Sequence, residues 1–425
     1  MLLIAITFFI LLLFNMPLGF AIAISSITYF VVETSLPYSI AVQRMVTATQ
    51  SFPLLAIPFF VLAGNLMNAT GITRRLVGFA NILTGHLVGG LAHVSIVLSA
   101  LMGGISGSAV ADAAMQARFL GPSMIQRGYT KGYSAGVIAL SALITATIPP
   151  SLGLIIYGFV GEVSIGRLFL AGIIPGVLMT LFLMVPAYII AKKRGYRGER
   201  IKRASFSEFK SSLRESIWAL IFPIILIVGI RFGIFTPSEA GAFAVVYAFI
   251  VGRFIYKELT WENFKDVVDK SVTDNGMILL IITAASIFGY LSAYDGLPQT
   301  MAHLIKGITT DPIILLFIVL GFLFITGLIM ESTVTTLLFT PIFLPIVKSV
   351  GVDPVHFGIL MMTIVTMGAM TPPVGVAMYT VCSILGCPTE HYVKEALPFI
   401  AAILILVTFL IFFPQVVLFL PNLLF

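Results

Sequence analysis

Apolar runs of near 20 residues recur along the whole chain, separated by short polar turns. Each is long enough to cross roughly 30 Å of hydrocarbon as a helix. A membrane β-barrel alternates apolar and polar positions, whereas the Leu, Ile, Phe and Val runs here are continuous. The pattern predicts spans near 1–14, 17–32 and 51–69, a short amphipathic helix near 72–84, and a helix–loop–helix over about 87–125. A broken span over about 132–160 and a last span near 168–191 follow. The second half reads the same way, at about 216–232, 236–256, 274–294, 297–308, 312–349, 354–386 and 396–421. The fold class is an all-α polytopic membrane protein.

Composition agrees. The 425 residues are 59% hydrophobic and 10% charged, against about 25% charged in soluble domains, and mean hydropathy is +1.09. The net charge of +6 does not point to nucleic acid, because nine of the 24 Lys and Arg fall in Lys192–Arg214. Such a cluster reads as a cytoplasmic loop. No cleavable signal is expected, since the first basic residue is Arg44. The two cysteines, Cys382 and Cys387, lack zinc-ligand spacing and read as small packing residues.

The basic linker divides the chain almost in half, and the halves match in order. Gly71 pairs with Gly296 at an offset of 225, which sets Ser106 on Glu331 and Ser108 on Thr333. Pro149-Pro150 pairs with Pro372-Pro373 at an offset of 223. The expected organisation is repeat 1 at 1–191, a basic linker at 192–214, and repeat 2 at 215–425. If the helix–loop–helix at 87–125 and that at 312–349 are re-entrant, each half crosses the membrane about five times and the second is inverted. With the linker cytoplasmic and both termini outside, 19 Lys and Arg fall inside and 5 outside. Charge alone does not separate a hairpin from a spanning pair.

Four breaks stand out: Gly103–Ser108 within "GGISGSAVADAA", Thr147–Ser151, Met330–Thr333 in "MESTV", and Thr371–Gly375. Irregular backbone at bilayer depth survives only where it is buried or lines a cavity. Its free carbonyls suit Na⁺, and its helix N-termini attract carboxylates. Inverted repeats with paired broken helices mark secondary transporters.

Taken with "IPPSLGLIIYG", "GIFTPSEAGAFAVVYA" and "TPPVGVAMYT", these residues make the chain resemble the large membrane subunit of tripartite ATP-independent periplasmic (TRAP) transporters over essentially its whole length. The resemblance implies an elevator-type, Na⁺-coupled importer of organic acids in a bacterial inner membrane. It implies a separate small four-helix membrane subunit and a periplasmic substrate-binding protein as partners. The substrate class is C4-dicarboxylate or sialic acid, with a lean to the latter. Carried over residue by residue, Ser106, Ser108, Ser151, Glu331 and Thr333 are expected to meet substrate. The expected Na⁺ ligands are Ser106, Ser108, Thr147, Pro149, Gly153, Glu331, Ser332, Thr333, Thr371, Pro372 and Gly375.

Blander and rival assignments exist. Gly103 and Gly107 form a GxxxG pair suited to close helix packing. That does not explain a glycine-free counterpart that keeps its polar atoms. Asp112 either serves transport or braces the hairpin arm, and Glu239 reads as a helix-start carboxylate. Gly104-Ile-Ser106-Gly107 also matches the GxSG signature of intramembrane serine proteases, which requires a histidine base beside Ser106. His93 lies 13 residues earlier on the same arm, about 20 Å away along a helix. No HExxH or phosphate-loop motif is present.

Overall fold

A computed structural model of the chain describes residues 2–14, 16–33 and 35–425. All regular elements among the described residues are helical. The chain opens with α1 (Leu2–Leu13), α2 (Leu18–Val32), α3 (Tyr38–Thr49) and, after a 3-10 turn, α4 (Ala56–Ala69). Next come α5 (Ile72–Thr84), the pair α6 (Gly90–Gly103) and α7 (Ala109–Phe119), and the short α8 (Gly121–Gln126). The broken pair α9 (Lys131–Thr147) and α10 (Leu152–Val160) leads to α11 (Ile165–Arg194). Beyond the linker lie α12 (Phe206–Arg231), α13 (Pro237–Ile250), continued by a π turn, and α14 (Trp261–Tyr294). The chain continues through α15 (Leu297–Lys306), α16 (Pro312–Gly327), α17 (Ser332–Lys348), α18 (Pro354–Gly368) and α19 (Val376–Leu385). It closes with α20 (Thr389–Phe412) and α21 (Pro414–Leu424).

Two helices form the centre. Every residue of α9 after Lys131 and every residue of α18 after Pro354 is buried, because both segments are apolar or small on all faces. Around them pack α6, α7, α16, α17 and α20, while α11 lies against α6, α9, α18 and α20. A second group packs mainly on itself: α2 and α3 on α14, and α4 on α13 and α14. The groups meet where α4 touches α10 and α14 touches α17.

Backbones come close where α16 meets α18. A Cβ on Gly368 would lie 2.4 Å from the carbonyl carbon of Gly327. Gly368→Ala is expected to lower the thermal unfolding midpoint in detergent, since overpacking costs about 1–3 kcal/mol. Gly321→Ala in the same pair of helices, where an added Cβ meets nothing within 4 Å, should leave the midpoint unchanged.

Several expected boundaries move. The stretch between the spans at 17–32 and 51–69 holds a helix of its own, α3. Helix α12 starts at Phe206, inside the stretch assigned to the linker, because Ser205 and Glu208 form a capping box, with Glu208 N donating to Ser205 Oγ at 3.2 Å. Helix α14 starts at Trp261 rather than near 274, capped by Thr260, whose Oγ1 accepts from Asn263 N at 3.1 Å. The single span expected at 396–421 is two helices, α20 and α21, which part before Pro414. By length and composition, six helices among the described residues can cross a membrane, or seven if α9 and α10, bent by 46°, count as one span. That is fewer than the ten expected crossings, because α1 and α2 have only 12 and 15 residues and the break after α18 leaves 15 and 10.

Candidate site at the helix breaks

Hairpin α6–α7 turns at 104–108. Gly107 takes a φ of +60°, and Ser108 is extended and caps α7, its Oγ accepting from Ala111 N at 3.4 Å. The turn sits directly on the first break. A Cβ on Gly107 would lie 2.5 Å from the Pro150 carbonyl oxygen, and one on Gly103 would lie 2.7 Å from Ile148 Cβ. From the other side, Gly104 is pressed against Pro223 of α12, and Gly64 of α4 lies against Ser106. Ser106 Oγ is buried and has no hydrogen-bond partner.

The first break follows from its sequence. Ile148 adopts a ψ of 129°, which ends α9, and Pro149 and Pro150 have no N–H to continue it. Ser151 restarts the helix: its Oγ donates to Ala146 O at 2.6 Å and accepts from Leu154 N at 3.4 Å. The Thr147 hydroxyl donates to Leu143 O at 3.1 Å, and the Thr147 carbonyl lies against Gly172 of α11. Gly172 and Gly176, which meet this break, lie about 10–17 Å along α11 from its first residue.

The second pair has the same plan with different chemistry. Glu331 caps α17, Oε2 accepting from Thr333 N at 2.8 Å and Val334 N at 3.4 Å. Its Oε1 accepts from the hydroxyls of Ser332 and Thr333, each at 3.0 Å. Val374 N donates to Leu328 O at 3.2 Å, tying this tip to the second break. There Thr371 Oγ1 lies 3.0 Å from the carbonyl oxygens of Met367 and Gly368, Pro372 precedes Pro373, and Gly375 opens α19.

The pairs are joined reciprocally: α7 packs on α19, and α10 packs on α17. One link runs through Met362 of α18, which fills the space beside Gly153 and receives the Thr336 hydroxyl at 3.3 Å. No side-chain hydrogen bond joins Ser106, Ser108 or Ser151 to Glu331, Ser332 or Thr333 among the described residues. Four helices, α7, α10, α17 and α19, therefore begin at the four breaks; Ser108, Ser151 and Glu331 cap the first three, and α19 has no side-chain cap. Sequence reasoning missed Gly64, Pro223 and Met362, which shape the tips from helices far away in the chain. Only the interrupted apolar pattern at the first two hinted at a role.

Asp112 belongs to a buried polar cluster behind the first tip. Its Oδ2 lies 2.7 Å from Thr145 Oγ1, 2.9 Å from Gln116 Nε2 and 3.0 Å from Ser99 Oγ, while Oδ1 has no partner. Ser95 and Ser141 extend the cluster. It ties α6, α7 and α9 together, the bracing role that its position one turn into the arm allowed. Glu239 is a capping-box residue, accepting from Thr236 N at 2.8 Å. Both cysteines are free and buried.

The protease geometry is absent. Ser106 Oγ touches no base, and both ring nitrogens of His93 are buried without side-chain partners. His356 is engaged elsewhere, its Nε2 lying 2.9 Å from Leu410 O.

Residues 5–416 match the family described as tripartite ATP-independent periplasmic transporter, DctM component. The sialic acid TRAP transporter large permease protein SiaM of Vibrio cholerae is 38% identical over 409 residues, covering 96% of this chain and 95% of that protein. The isethionate TRAP transporter permease protein DctMQ of Oleidesulfovibrio alaskensis is 37% identical over 412 residues, covering 97% of this chain and 65% of that protein. The C4-dicarboxylate TRAP transporter large permease protein DctM of Pseudomonas aeruginosa is 34% identical over 379 residues, 89% of this chain and 88% of its own. With its apolar helices and its paired helix breaks, this chain belongs to the DctM component of the TRAP transporter family, a multi-pass permease of the inner membrane and not an enzyme.

Proposed function

We propose that this chain is the translocating subunit of a Na⁺-coupled, binding-protein-dependent importer of organic acids, working by elevator-type alternating access. Its partners are a small four-helix membrane subunit and a periplasmic binding protein. The observation that carries this is that each hairpin tip seats on a helix break, Gly107 against Pro150 and Leu328 O bonded to Val374 N, with α7 packed on α19 and α10 on α17. Helix N-termini favour a substrate carboxylate, and the hydroxyls and carbonyls of the tips are the hard oxygens a small alkali cation takes. Ser106 Oγ supports the assignment, as a buried oxygen that the fold itself leaves unused.

Two inverted repeats account for the order of elements: short helix, hairpin, broken helix and long helix over 72–194, and the same series over 297–412. Helices α5 and α15 each start at a left-handed glycine, Gly71 and Gly296, and would serve as arms between the moving helices and the scaffold. The basic linker faces the cytoplasm and both termini the periplasm; Phe425 packs beside Gly166 at the end of α11 away from the linker. The relatives named for sialic acid, C4-dicarboxylates and isethionate support a small organic anion as cargo, with a sialic acid favoured. Na⁺ bound first at the tips would raise substrate affinity, and this differential affinity is what couples the two.

The test is uptake into proteoliposomes containing both membrane subunits, with the binding protein added and the Na⁺ gradient varied. Uptake that ignores Na⁺, or that needs no binding protein, sinks the proposal. Ser106→Ala is expected to leave the unfolding midpoint unchanged while raising the Na⁺ concentration for half-maximal uptake about tenfold, the equivalent of one lost ligand contact at 1.4 kcal/mol.

A further inference from the structure

A cleft of about 450 Å³ opens between the two groups of helices. One wall, from α3, the turn after it and α14, carries Arg44, Thr47, Ser51 and Ser286. The facing wall carries Glu162 at the end of α10 and Leu337 on α17. Leu337 lies four residues beyond Thr333 along α17, about 6 Å of rise, so the cleft continues outward along a helix that begins at a tip. It sits at the end of α11 opposite the basic linker: Glu162 precedes Ile165 by three residues, and Lys192–Arg194 close the helix about 45 Å away.

The chemistry of the walls is specific. The Arg44 guanidinium lies over the Tyr290 ring, 4.5 Å from its centroid. The Arg44 carbonyl accepts from Ser286 Oγ at 3.1 Å, which pins α3 to α14. Among the described residues Arg44 makes no ion pair, so its fork of donors lies over the Tyr290 ring with no carboxylate partner. Such a fork matches a carboxylate in shape and charge. Glu162 takes a φ of +52°, a conformation costly for a residue with a side chain and often kept at functional positions. The cleft thus offers one cation, one anion, three hydroxyls and an apolar wall, in a volume within the usual range for small-molecule sites.

We infer that this cleft is an outer receiving site for the transported acid, separate from the tips, and that its walls select a hydroxylated monocarboxylate over a dicarboxylate. A single carboxylate satisfies Arg44, and hydroxyl or amide groups reach Thr47, Ser51 and Glu162. A second carboxylate meets Glu162 and is repelled. This rests on the proposed import function, with the cleft facing the side from which substrate arrives.

The experiment places a reporter cysteine at Ala48, which lines the cleft, in the reconstituted complex of both membrane subunits, with Ala285→Cys as a second reporter. Modification by an anionic methanethiosulfonate is measured above the background of the parent chain. Arg44→Gln should slow it about tenfold, the effect of one charge at close range, without slowing a cationic reagent. Millimolar N-acetylneuraminate should slow modification and succinate should not, and Glu162→Gln should let succinate protect as well. Equal rates with and without the Arg44→Gln substitution, or protection by neither acid, overturns the inference. Equal protection by both acids in the parent overturns the selectivity, and protection that depends on added anionic phospholipid assigns Arg44 to a lipid phosphate instead. A complex with normal Na⁺-driven uptake and no protection loses the cleft alone; one without Na⁺-driven uptake loses the transport function first.

Discussion

Gly107→Ala is expected to reduce Na⁺-driven uptake to below a tenth of the parent rate. Two costs add at this position. The φ of +60° is strained for any residue with a Cβ, at about 1–3 kcal/mol. The new Cβ would also stand 2.5 Å from the Pro150 carbonyl oxygen, and that atom belongs to a proline pair whose backbone has few other conformations. Relief requires the first tip to lift from the first break, which moves Ser106 and Ser108 away from Ser151. The control is Gly78→Ala on α5, where a Cβ meets nothing within 4 Å. Initial uptake rates of the two variants, normalised to protein in the membrane, decide the matter. A Gly107→Ala chain retaining half the parent rate would show that tip and break need not be in register.

Asp112→Leu is expected to cost more stability than any other single change at the first hairpin. Three donors converge on Asp112 Oδ2, from α6, α7 and α9. Leucine removes their shared acceptor: Thr145 Oγ1 keeps Ser99 O, Ser99 Oγ keeps Ser141 Oγ and Gln116 Nε2 keeps Ser99 Oγ, so the cost is that of the three lost bonds, about 0.5–1.5 kcal/mol each. The expected result is a fall in the thermal midpoint of the detergent-solubilised chain large enough to deplete folded protein from membranes. Asp112→Asn keeps an acceptor and the shape, and should retain most of the stability. If Asp112→Leu unfolds no earlier than Asp112→Asn, the cluster does not brace the hairpin.

Much of the site was legible along the chain because helix breaks are local events. Pro149-Pro150 and Pro372-Pro373 remove the N–H groups a helix needs, so both interruptions fall where the letters put them. The capping roles of Ser108, Ser151, Glu239 and Glu331 are also local, since each side chain serves an N–H two or three residues away. The missed starts of α12 and α14 were present as Ser205…Glu208 and Thr260…Asn263 but lay in charged stretches that hydropathy treats as loops. The amphipathic helix α3 escaped for a related reason: it is too polar to register as a span and lies between two stretches that do.

The sequence by itself determined the class of protein, the two proline breaks, and its family, since composition and proline act without knowledge of neighbours. Only the tertiary structure decided which tip lies on which break, that Ser106 Oγ is left without a partner, that Asp112 is held from a helix 33 residues away, and that Arg44 and Glu162 line one cleft. The physical reason is that lipid tails and protein interior are equally apolar. A helix such as α9 or α18, apolar all round, carries no stripe that names its neighbours. Its partners are chosen by shape, by Gly327 against Gly368 and Gly107 against Pro150, and shape is not written in hydropathy.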